Sequence, residues 1–90
     1  MATLHEREHN REAIMKALYE AVEGNRLLGL TGEQMREDLA MPEEDLAAAC
    51  TYLAAEELVQ VEWARGNTPA MVTLTHKGIQ IMETEEKDSD

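Results

Sequence analysis

The string His5-Glu6-Arg7-Glu8-His9 comes nearest to catalytic chemistry in this chain. Its H-E-x-x-H spacing sets two imidazoles one helical turn apart, with a glutamate beside them as a base, the arrangement zinc-dependent hydrolysis uses. Three features set that reading aside. Arg7 and Glu8 are charged where such a helix is normally buried and apolar. Both histidines project opposite the Ile14–Leu18 stripe of the same helix, toward solvent. The string also lies at the end of the chain, where no scaffold can shape a cleft. Two exposed histidines are expected, with at most weak adventitious affinity for zinc or nickel. Cys50 falls on a core stripe and reads as a small packed side chain, while His76 beside Lys77 reads as a solvated helix start. There is no P-loop, dinucleotide fingerprint or supported Ser/His/Asp grouping. No catalytic residue, cofactor, metal site or enzymatic activity is expected.

The elements around these residues follow from hydrophobic period and caps. Thr3 and Glu6 stand at capping-box spacing and open a helix that Gly24-Asn25 stops. Ile14, Leu18 and Ala21 form one stripe on it, with Met15, Tyr19 and Val22 beside it. Together with Ala17 these span an arc of roughly 200°, about twice what a helix with one buried face needs. Either the helix is central to the domain or part of the arc meets another chain. The second reading makes Met15, Tyr19 and Val22 the candidate seam of a homodimer, since twofold dimers are the commonest assembly.

Arg26 to Leu30 forms a turn with apolar anchors, after which Thr31 and Gln34 repeat the capping-box spacing and open a short helix holding Met35 and Leu39. Pro42 ends it and begins the next, whose first turn holds Glu43, Glu44 and Asp45, favourably placed at a positive helix end. Leu46, Cys50 and Leu53 give this third helix its core stripe. From Val59 the period changes to two: Val59, Val61 and Trp63 alternate with polar or small residues, and Val72 with Leu74 returns after a loop at 65–69. Trp63 is either the hairpin's core aromatic, the reading preferred here, or an exposed contact. Thr75 caps a closing helix that turns Ile79 and Met82 inward.

The chain is one domain of 90 residues, with 43% hydrophobic content and a net charge of −11. Its apolar set is rich in Ala, Leu and Met, with no Phe and one Trp, so the core is small. The charge repels phosphate backbones and anionic membranes. No apolar run approaches the ~18 residues of a membrane span, and charge from His5 onward argues against a secretory signal. A lone cysteine cannot form an internal disulfide, so the expected location is cytoplasmic.

Helix, short helix, helix, hairpin and closing helix is the order of a winged helix-turn-helix domain. Leu30-Thr31 through Leu39, followed by Leu46 to Leu53, resembles the helix-turn-helix itself. Glu57-Leu58-Val59 resembles the step into the first wing strand, and Leu74-Thr75-His76-Lys77-Gly78 resembles the entry to the last helix of bacterial regulators of the multiple-antibiotic-resistance and phenolic-acid-response types. The resemblance covers about residues 8–84. It implies an α+β fold: a three-helix core with a two-stranded β-hairpin wing and a C-terminal helix. Residues 1–84 are expected to form the domain and 85–90 an acidic, disordered tail.

The resemblance also implies DNA binding, with the third helix in the major groove and the wing on the backbone. Carried onto this chain, the exposed face of the third helix is Glu44, Ala48, Thr51 and Ala55, and the wing offers Arg65, Asn67 and Thr68. Of the helix residues only Thr51 can donate a hydrogen bond from its side chain. Between Glu37 and Ala64 stand eight acids and no Lys or Arg. Phosphate anchoring needs cations, so DNA is possible as a partner but disfavoured by charge. The expectation is a regulatory or adaptor module that acts through protein contacts, homodimeric, with the alternative of a DNA-binding transcription regulator. An acidic face in this position could also mimic DNA toward a basic partner.

Overall fold

The computed structural model describes residues 3–24, 29–64 and 68–88. Helix α1, Leu4–Gly24, begins where the Thr3 hydroxyl accepts from the Glu6 amide at 3.2 Å and donates to the Glu6 carboxylate at 3.1 Å. Ile14, Met15, Leu18 and Val22 are buried along it. The wide apolar arc is explained inside one chain: α1 packs against α2 (Gly32–Leu39), α3 (Glu43–Ala55), α4 (His76–Asp88) and strand β2 (Pro69–Leu74). A helix with neighbours on so many sides needs apolar residues round more than half its girth.

The Thr31 hydroxyl caps α2 by accepting from the Gln34 amide at 3.0 Å, and Met35 is fully buried. Ala40 ends the helix in the left-handed region at φ 50°, and the Met41 amide donates back to the Arg36 carbonyl at 3.3 Å. Pro42 stands at the N-cap of α3, where its missing N–H costs nothing. On α3 the expected stripe of Leu46, Cys50 and Leu53 is buried, joined by Ala49.

Helix α3 closes with a Schellman arrangement. The Leu58 amide donates to Leu53 and the Glu57 amide to Ala54, both at 3.0 Å, with Glu57 at φ 63°. That turn aims the chain into β1 (Val59–Trp63), which pairs antiparallel with β2 in the register Val59–Leu74 and Val61–Val72. Leu30 exchanges both backbone hydrogen bonds with Val72, at 2.9 and 2.8 Å, a one-residue third strand on the far edge of β2.

Thr75 joins the hairpin to α4. Its hydroxyl accepts from the Gly78 amide at 3.0 Å and donates to the Glu57 carbonyl at 2.6 Å. A Cβ at position 78 would collide with the Leu58 carbonyl oxygen, which explains the glycine at this step. Helix α4 runs to Asp88, so the expectation that residues 85–90 form a disordered tail is corrected for 85–88. Glu and Lys are good helix formers, and the Glu86 carboxylate accepts from the Tyr19 hydroxyl at 2.7 Å, tying the last turn to α1.

Candidate interaction face

The four α3 positions expected to face a partner, Glu44, Ala48, Thr51 and Ala55, are all exposed, opposite the buried stripe. The Thr51 hydroxyl donates to the Ala47 carbonyl one turn back, at 2.8 Å. Its hydrogen is therefore engaged, and the one donor that sequence reasoning credited to this face is occupied. What remains is smooth and short-chained.

The wing completes a groove beside that face. Glu43, Glu44, Ala47, Ala48, Thr51 and Ala54 line it from α3, and Trp63 from β1. Trp63 is 45% exposed, so the expectation of a core aromatic is corrected. Strand alternation predicts it inward with Val59 and Val61. The pairing, however, shifts register between Glu62 and Trp63, so Trp63 pairs with Pro69 and Pro69 is the residue buried there. No periodicity in the sequence marks such an irregularity.

Acids at the mouth of the groove have different duties. Glu43 accepts from the Thr68 hydroxyl and pairs with Arg36 at 3.7 Å, so it fastens the base of the wing and helix α2 to the start of α3. Thr68 is thus half-buried and engaged within the chain. The Glu44 side chain makes no ion pair or hydrogen bond among the described residues. The other two wing residues, Arg65 and Asn67, lie outside the described residues.

On its opposite flank α3 faces α1. Arg7, Asn10 and Arg11 line a second groove there with Glu44, Asp45, Ala48 and Tyr52. The Arg11 guanidinium stacks over the Tyr52 ring at 3.9 Å from its centroid. The exposed ridge of Glu44 and Ala48 therefore divides an acidic, tryptophan-walled groove from one of mixed charge.

The candidate dimer residues divide as well. Met15 and Val22 are buried in the chain's own core, at 6% and 5% exposure, and Met15 also lines the groove between α1 and α4. Tyr19 is half-buried at the edge of an open groove between α1 and α4 that also holds Ile81 and Met82. Its phenol is pushed up to about 12, first by the hydrogen bond to Glu86, then by desolvation and the nearby charges of Glu86, Glu23 and Glu83. Burial raises the Cys50 thiol to about 11, which keeps it protonated and inert at neutral pH. His5 and His9 are both exposed on the first turns of α1. No cluster of three or more metal-ligating side chains occurs among the described residues, and no described helix is long and apolar enough to cross a membrane.

No protein-family model and no curated protein matches this sequence. Among solved structures the chain is similar to a MarR family regulator from Neisseria meningitidis, with a TM-score of 0.62 at 23% identity. The match covers 90% of this chain and 56% of that one, so the chain spans little more than half the regulator's length. Among the described residues, four helices and an antiparallel hairpin after the third, on a backbone similar to that regulator's, give this chain the winged helix-turn-helix fold.

Proposed function

We propose that this chain is a non-enzymatic regulatory or adaptor module of the cytoplasm, acting through protein contacts made by α3 and the wing. One observation carries the reading: the face that a winged helix would lay on DNA is acidic and short-chained. From Glu37 to Ala64 it has no Lys or Arg, and the Thr51 hydroxyl is engaged within its own helix. Anchoring to a duplex depends on cations that displace condensed counterions. The fold of a MarR family regulator supports a regulatory role in general terms.

A second reading, a DNA-binding transcription regulator, draws on Arg7 and Arg11, which flank α3 on the α1 side. Titration with mixed-sequence duplex at ~20 mM salt, where screening is weak, separates the two. No binding supports the protein-contact reading. Micromolar affinity that falls steeply with salt, and that Arg7→Ala or Arg11→Ala weakens, overturns it.

The homodimer remains part of the proposal, but at a different place. With Met15 and Val22 buried, its support moves to Ile81, 37% exposed, and Tyr52, 47% exposed, at the α1–α4 groove. Two copies at −11 each repel one another, so association should strengthen as salt is added. Sedimentation at several concentrations tests this, and a monomer at every salt concentration excludes it.

A further inference from the structure

We infer that the groove between α3 and the wing receives an arginine-bearing helical segment of a partner protein, held by Trp63 and Glu44. The inference rests on the reading that this face binds protein, and it specifies the chemistry of what is bound. Trp63 forms the wall of the groove with 45% of its surface exposed, in a chain with one Trp, two Tyr and no Phe. Tryptophan exposed at the wall of a groove is the residue type that most often anchors an interface, and its ring face attracts a guanidinium.

The floor fixes the shape of the occupant. Ala47, Ala48, Thr51 and Ala54 present nothing longer than a threonine, whose hydroxyl donates to its own helix. Small side chains let a second helix approach closely. From Glu44 to Ala54 the floor runs along ~15 Å of helix, the length of about three turns of an incoming helix.

The mouth fixes the charge. Glu43 is engaged by Arg36 and Thr68, whereas the exposed Glu44 side chain has no ion pair or hydrogen bond among the described residues. Arginine suits both side chains lining this groove, with a flat fork for a carboxylate and a flat face for an indole. Lysine satisfies the first and stacks poorly. An acidic segment meets repulsion from the mouth and from the −11 chain.

Trp63, as the sole tryptophan, is its own reporter. The probe is an alanine-rich helical peptide of about 15 residues with arginine at every fourth position, alongside versions carrying lysine or glutamate instead. The arginine peptide should give a saturable blue shift of Trp63 emission, the lysine peptide a severalfold weaker one, and the glutamate peptide none. Glu44→Gln should weaken binding about threefold. Trp63→Ala, followed by calorimetry, should weaken it about fivefold. Circular dichroism checks that both variants, at exposed positions, keep the fold. Absence of a saturable shift overturns the inference, and so does equal affinity for wild type and both variants, which signifies diffuse attraction to an acidic chain. Failure here without DNA binding leaves the protein-contact reading standing; DNA binding removes both.

Discussion

Replacing Thr75 with valine should loosen the joint between α3, the wing and α4 while leaving its shape almost unchanged. The Thr75 hydroxyl makes two hydrogen bonds there. It caps α4 by accepting from the Gly78 amide at 3.0 Å, and it donates to the Glu57 carbonyl at 2.6 Å. Losing a threonine cap costs about 1 kcal/mol. Gly78 is buried, so its amide is poorly placed to find water instead. Glu57 is exposed and its carbonyl can be rehydrated, so the second bond contributes at the low end, about 0.5–1 kcal/mol. A loss of about 1.5–2 kcal/mol follows. With ~2.1 cal/mol/K per residue of unfolding entropy, a domain of this length should lose about 8–10 °C in Tm. The assay is thermal unfolding followed by circular dichroism, with urea titration to confirm an unchanged slope. Thr75→Ser, which keeps both hydrogen bonds, should stay within about 0.5 kcal/mol of wild type. A valine variant as stable as wild type, or a serine variant as damaged as the valine one, would refute the capping argument.

Two further outcomes test the side-chain environments. Tyr19 should ionise near pH 12 in a phenolate absorbance titration, and Tyr19→Phe should remove that late component. Because its folded pKa lies above the ordinary value of 10, the Tyr19–Glu86 contact contributes stability in full below pH 10 and loses it as pH rises through about 12. Cys50, fully buried with its thiol raised to about 11, should resist a thiol-specific reagent at neutral pH in the native protein and react at once in denaturant. Fast native labelling would show that α3 opens readily, contrary to a core position.

The sequence made most of the architecture legible because each helix carries its own start and stop. Thr3, Thr31 and Thr75 all cap through the spacing that identifies them, with the amide donors at Glu6, Gln34 and Gly78. The buried stripe of α3 follows directly from its period. What escaped was non-local or irregular. The Leu30–Val72 bridge is one residue long and has no period of its own. Trp63 turns outward because the register shifts beside it, an event set by the partner strand. Met15 and Val22 looked like surplus apolar area until the elements surrounding α1 gave them neighbours. In α4, a run of acids that resembles a solvated tail holds its helical course to Asp88, with Glu86 reaching Tyr19 across 67 residues of chain.

The acids of α3 act on the helix that carries them and on the face it presents. Glu43, Glu44 and Asp45 occupy the first turn, where the helix macrodipole and unpaired amides favour negative charge. The same helix end is where a nucleic-acid phosphate would be received. Here a side-chain carboxylate is already present, and Glu43 is further committed to Arg36 and Thr68. Carboxylates of the chain itself thus occupy the end of α3 that favours negative charge. The buried faces of α3 and β1, which hold the fold together, are indifferent to that sign, since Leu46, Ala49, Cys50, Leu53 and Val59 carry no charge. A winged helix can thus keep its core while its exposed face carries acids, because the residues that hold the fold and the residues that carry the charge lie on opposite sides of α3.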